Sequence, residues 1–127
     1  MIKILISIFH ISVLFLIIFS LWPGSLFGYL FYGDWSQQSN LIKPPLGATI
    51  EHFIYYTYLS LLGFFIYSKT GNFKKIVYGL FFLAIILELL QVVVPNRAFQ
   101  LVDLIGNISG VIVAYLIIKI YLFFNKS

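Results

Sequence analysis

The sequence predicts an all-α membrane protein, a bundle of four transmembrane helices with both termini on the cytoplasmic side. Three observations predict it. The composition is 61% hydrophobic and 20% aromatic with only 9% charged residues, too little polar surface to keep a folded domain in water. The apolar residues fall into four long runs, and 127 residues give room for that many spans of about 20 residues, with short connections and no sizeable soluble domain. The Lys residues gather at one set of run ends, as the positive-inside bias requires.

The first run, Ile4 to Trp22, covers about 28 Å at about 1.5 Å per residue, enough to cross the hydrocarbon core, and Pro23 and Gly24 stop it. It reads as a span rather than a cleaved signal peptide, because it is longer than an h-region, has only Lys3 before it and lacks a small-x-small cleavage site. Ser25 to Tyr32 is aromatic-rich, with Phe27, Tyr29, Phe31 and Tyr32, and reads as an interfacial segment. Gly33 to Gly47, with Asp34, Trp35, Lys43, Pro44 and Pro45, reads as a loop. The second run, Leu46 to Tyr67, carries Glu51 and His52 in its first turns, and Lys69, Lys74 and Lys75 then surround Gly71 and Asn72 in a basic turn.

The third run, Ile76 to Val94, is apolar apart from Glu88 and Gln91, and Pro95, Asn96 and Arg97 make the next turn. The fourth, Leu101 to Phe124, is interrupted near its start by Asp103 and Asn107. The expected helices are therefore 4–22, 46–67, 76–94 and 101–124, in a single domain spanning 1–127 without an internal repeat. An N-terminus inside places Lys3, Lys69, Lys74, Lys75, Lys119 and Lys126 on the cytoplasmic side, against Lys43 and Arg97 outside.

The formal charge of +4 comes from cations scattered in ones and twos, without the basic stripe that a nucleic-acid face requires. Cysteine is absent, which excludes disulfides and thiolate metal sites. His10 and His52 stand on different helices without a close acidic pair, so neither a metal nor a cofactor is expected. His10, among apolar neighbours, is expected to hydrogen-bond between helices. Asn107, Ile108 and Ser109 match a glycosylation sequon in the wrong context, a membrane helix. Tyr55, Tyr56, Tyr58, Trp22 and Trp35 read as interfacial belt residues.

With this topology Glu51 and His52 begin one helix, Glu88 and Gln91 end the next, and Asp103 and Asn107 begin the last, all at the extracytoplasmic level. An ionised residue at the centre of a span costs about 2.5 to 3.5 kcal/mol on an insertion scale, less near an interface, so such groups tend to face a bundle interior or a watery cavity. Spacing agrees: Glu88 and Gln91 are three apart, Asp103, Asn107, Gly110 and Ala114 share one face, and His52, Tyr56, Leu59 and Gly63 share another. Gly106 and Gly110 form a small-xxx-small spacing suited to close helix approach. The cluster then either glues helices together, with Arg97 pairing Glu88 or Asp103, or forms a site. The candidate set is His52, Glu88, Gln91, Arg97, Asp103 and Asn107, with Glu51 and Gly110 as accessories.

Glu88-Leu-Leu-Gln91, then Pro95-Asn-Arg97, then Asp103-Leu-Ile-Gly-Asn107-Ile-Ser-Gly110 resembles the signature of the VanZ-like family: ELLQ, a turn with PxR, and DxxxNxxG. His52 and Phe53 are similar to that family's HF motif on the preceding helix. The likeness covers roughly Thr49 to Ala114. One departure is that the family often has Asp-Lys three and four residues before the histidine, where this chain has Ala48 and Thr49, with Glu51 as a partial stand-in. The resemblance implies a small multi-pass protein of the bacterial cytoplasmic (inner) membrane and cell envelope, associated with resistance to teicoplanin, a lipid-bearing glycopeptide. It implies no reaction.

Two chemistries suit the cluster. In a binding protein for an anionic envelope lipid or lipoglycopeptide, Arg97 holds phosphate or carboxylate and Gln91 and Asn107 donate hydrogen bonds. In a membrane-surface enzyme acting on a lipid-linked phosphate, His52 with Glu88 or Asp103 supplies acid and base, Arg97 stabilises developing charge, and water attacks. A structural or assembly protein is the third reading. Membrane lipids are the expected partners, and a second copy of the chain or an envelope enzyme docking on Ser25 to Tyr32 is left open.

Overall fold

The computed structural model describes residues 1–23, 26–34, 47–95 and 97–126. The expectations for Gly24, Ser25, Trp35, Lys43, Pro44, Pro45, Leu46 and Asn96 lie outside the described residues. Five helices follow in chain order: α1 Ile2–Leu21, α2 Leu26–Tyr32, α3 Gly47–Tyr67, α4 Phe73–Leu90 and α5 Leu101–Phe124. No strand occurs among the described residues.

Local chemistry explains the ends. α1 stops where Trp22 turns to extended backbone, φ −69° and ψ 132°, the conformation a following proline imposes. The aromatic segment after it is a short helix, α2, closed by Gly33 at φ 71° with its N–H on the Tyr29 carbonyl at 2.8 Å, a left-handed cap that glycine adopts without strain. α4 departs from expectation at both ends. It begins at Phe73, so Lys74 and Lys75 lie in its first turn, where their long stems are good helix formers. It ends at Leu90 rather than Val94, because the N–H groups of Val92, Val93 and Val94 reach back only three residues, to Leu89, Leu90 and Gln91. This tightened run leads into Pro95, which disfavours helical backbone in the residue before it.

α5 packs most extensively on α3, and the glycines of α5 show why. A Cβ on Gly106 would sit 2.8 Å from the Thr49 carbonyl oxygen, and one on Gly110 would sit 2.7 Å from that of Phe53. Both glycines therefore let two backbones meet, as the small-xxx-small spacing requires. The core runs through Tyr56, Leu59 and Phe64 of α3, Leu80, Ala84 and Leu87 of α4, and Val111, Ala114 and Ile118 of α5. α1 adds Phe9 and Leu16 and turns Ile4, Ile8, Ile11, Phe15 and Ile18 outward.

Among the described residues two helices, α1 and α5, are long and apolar enough to cross a membrane, which is consistent with membrane association. α3 and α4 are less apolar because they carry Glu51, His52 and several tyrosines, and Lys74, Lys75 and Glu88, respectively. His10 differs from expectation: it is exposed, and its Nδ1–H donates to its own helix at the Ile6 carbonyl, 2.8 Å away, rather than across to another helix. An exposed imidazole satisfies itself one turn back.

Candidate functional site

Asn107 is the hub of the polar cluster. It is buried at 2% exposure on the α5 face that meets both α3 and α4, and its short side chain serves three helices at once. Its Oδ1 lies 2.9 Å from His52 Nδ1 on α3. Its Nδ2 donates to the Ala84 carbonyl of α4 at 3.3 Å and, more weakly at 3.5 Å, to Glu88 Oε2. Glu88, only 1% exposed, takes the Gln100 backbone N–H on Oε1 at 3.2 Å, and its Oε2 stands 4.0 Å from His52 Nδ1. The carboxylate thus holds the entry to α5 and orients Asn107.

This network fixes the histidine. An amide nitrogen between two acceptors must be the donor, so the Asn107 oxygen faces His52, and Nδ1 carries the hydrogen. Nε2 remains as an acceptor when the ring is neutral and a donor when it is protonated. Beside this hub, buried Asp103 in the first turn of α5 accepts the Thr49 hydroxyl on Oδ1 at 3.0 Å. A carboxylate suits the positive end of a helix dipole, and the contact pins the starts of α3 and α5 together.

A second knot ties in α1. Gln91 Nε2 donates to the Ser20 carbonyl at 3.2 Å, and Arg97 donates through Nε to the Trp22 carbonyl at 3.1 Å and through Nη2 to that of Phe19 at 2.9 Å. These are carbonyls at the end of α1, where intrahelical partners run out and the dipole is negative. Arg97 therefore caps α1, and of the two roles the sequence allows it, the pairing with Glu88 or Asp103 is not formed: no salt bridge from it occurs among the described residues. Burial pulls its guanidinium below the ordinary value, and the charge of Glu88 opposes that shift.

Between these knots lies a cavity of about 610 Å³. Glu51, His52, Arg97 and Asn107 line it beside a larger apolar wall that includes Leu16, Ile54 and Leu87. Glu88, Asp103 and Gln91 are not among its lining residues, so they support the site rather than face it. Gly110 serves the α3–α5 packing described above. The reading of the tyrosines as belt residues missed a further link: Tyr55 donates to the Ser12 carbonyl at 2.8 Å, and the Tyr58 and Ser12 hydroxyls meet at 3.1 Å. Ser12, a hydroxyl set between the apolar Ile11 and Val13, was the available signal. Thr49 gave none.

Fold and site together define a small all-helical protein, with helices of membrane-spanning length and an amphipathic cavity at the end where its polar residues converge. The chain belongs to the VanZ/LLP1 family, whose model matches residues 5–124. No curated protein and no solved structure matches it significantly. The family match extends past Thr49 to Ala114 and takes in α1, whose end Arg97 and Gln91 hold.

Proposed function

We propose that the chain is a four-span protein of the bacterial cytoplasmic membrane, N-in and C-in, whose cavity binds one anionic envelope lipid or lipoglycopeptide and so contributes to teicoplanin-type glycopeptide resistance. The cavity carries this reading: one apolar chain can lie along Leu16, Ile54 and Leu87 while a charged head meets His52, Arg97 and Asn107. Its electrostatics admit an anion, because Glu88 and Asp103 are turned into internal hydrogen bonds away from the cavity, where Arg97 and His52 stand against the single carboxylate of Glu51 among its lining residues. No hydrogen bond from Arg97 Nη1 occurs among the described residues, which leaves donors beyond those that hold α1. Outward-facing Phe65 of α3 and Phe82 and Ile85 of α4 support spanning by these helices as well.

The test is drug susceptibility in a sensitive Gram-positive host at equal membrane levels of wild type, Ile54→Trp and Arg97→Gln. Ile54 is 55% exposed and lines the cavity, so the indole fills the cavity without entering the core. Wild type is expected to protect against teicoplanin more than vancomycin, and both variants to lose that protection. Wild type protecting against neither drug would sink the glycopeptide role.

One arrangement favours a second reading, hydrolysis of a lipid-linked phosphate. The carboxylate, amide and imidazole of Glu88, Asn107 and His52 orient Nε2 as a base toward water in the cavity. Phosphate release by purified protein, abolished in His52→Gln, would replace the binding reading by this one.

A further inference from the structure

The charge of this chain is segregated along its helices. Its Asp and Glu residues number four, and they are Asp34, Glu51, Glu88 and Asp103. Glu51 stands in the second turn of α3, Asp103 in the first turn of α5 and Glu88 in the last turn of α4, at one end of the bundle. The opposite end, where α3 and α5 finish and α4 begins, carries Lys69, Lys74, Lys75, Lys119 and Lys126 and no acidic side chain.

A groove of about 350 Å³ opens there between α4 and α5. Lys74 and Lys119 line it together with Phe73, Val77, Phe81 and Tyr115. The Phe73 and Tyr115 rings stack at 14° with centroids 6.3 Å apart, and Lys119 Nζ lies over both, 5.6 Å and 5.4 Å from their centres. The rings hold the ammonium by their quadrupoles but do not neutralise it, and no carboxylate pairs with it among the described residues. Two cations above an apolar cleft match the chemistry of a phospholipid: a phosphate at the lysines and an acyl chain beneath.

We propose that this groove binds an anionic phospholipid of the membrane, its phosphate held by Lys74 and Lys119 and its acyl chain against Val77 and Phe81. The inference rests on the reading that α4 and α5 span the membrane, and it concerns a site at the other end of the bundle from the cavity.

The test is native mass spectrometry of the full chain in a neutral maltoside detergent, offered phosphatidylglycerol and phosphatidylcholine of identical acyl chains. Wild type is expected to retain phosphatidylglycerol preferentially. The preference should fall about fivefold for each groove lysine removed in Lys74→Gln/Lys119→Gln, and hold in Lys69→Gln/Lys126→Gln. Equal retention of the two lipids overturns the proposal, as does an equal loss in both double variants, which would mark a diffuse field rather than a groove. Displacement by an equal concentration of glycerol phosphate also overturns it, since the ligand would then be the bare anion. Because the chain has no Cys, Asn72→Cys reports the supporting reading separately through an impermeant maleimide. Labelling from the cytoplasmic face without lipid preference refutes only this inference; labelling from the outer face refutes the N-in topology, a failure distinct from that of the groove.

Discussion

Gly110→Ala is expected to destabilise the bundle by about 1 to 3 kcal/mol, although alanine is the better helix former by about 1 kcal/mol. The added methyl would lie 2.7 Å from the Phe53 carbonyl oxygen and 3.0 Å from the Thr57 backbone nitrogen, both main-chain atoms of α3. The Phe53 carbonyl cannot easily turn aside, because it also accepts the Thr57 hydroxyl at 2.7 Å. The two helices must separate instead, which opens the α3–α5 seam along its length. Gly79→Ala on α4 is the matched control: nothing lies within 4 Å of the new methyl, so only the propensity gain should appear. Gly63→Ala should fall between them, since it meets chiefly the Phe9 ring, a side chain able to yield. Unfolding in mixed micelles of increasing sodium dodecyl sulfate measures all three. A midpoint for Gly110→Ala at or above that of Gly79→Ala would refute the close-packed seam.

The seam was legible because it depends on spacing alone. Asp103, Asn107, Gly110 and Ala114 recur on one face whatever lies opposite, and α5 begins and ends where its apolar run does. The end of α4 was not legible, since Val92, Val93 and Val94 continue the apolar run while their backbone tightens toward Pro95. Apolarity reports the solvent a segment faces, not its hydrogen-bond pattern. Arg97 shows a different limit. Opposite charges in a sequence suggest pairing, and Glu88 and Asp103 are its near neighbours along the chain. The partners it takes are carbonyls of Phe19 and Trp22, 78 and 75 residues away, and every residue carries such a group. Helix ends become acceptors only once the packing of α1 is known. Asn107 was recognisable as a site residue, but its role as hub depends on simultaneous reach to His52, Ala84 and Glu88, which spacing within one helix cannot reveal.

Glu88→Gln carries the second large effect, on the protonation pattern of the cavity more than on the fold. The carboxylate now accepts on both oxygens, from the Gln100 N–H and from Asn107 Nδ2. In the variant one of those positions becomes an NH₂. The Gln100 N–H is fixed in the backbone and keeps the remaining oxygen, so the new amide donors face Asn107, whose side chain can rotate. Turned over, Asn107 presents its oxygen to the variant amide and its nitrogen to His52 Nδ1, which must give up its hydrogen; the proton then resides on Nε2. The rotated oxygen faces the Ala84 carbonyl, at a cost of about 1 to 3 kcal/mol for a buried group deprived of its partner. Nitrogen NMR of the imidazoles reports the tautomer directly, and His10→Gln removes the other ring, since the chain has two histidines. Neutral His52 protonated at Nδ1 in the wild type and at Nε2 in the variant is the expected result; an unchanged tautomer would mean that Glu88 does not set the hub. The inversion also divides the functional readings. An anion-binding cavity gains a donor at Nε2 and should keep its ligand, whereas a hydrolase loses its base and should stop.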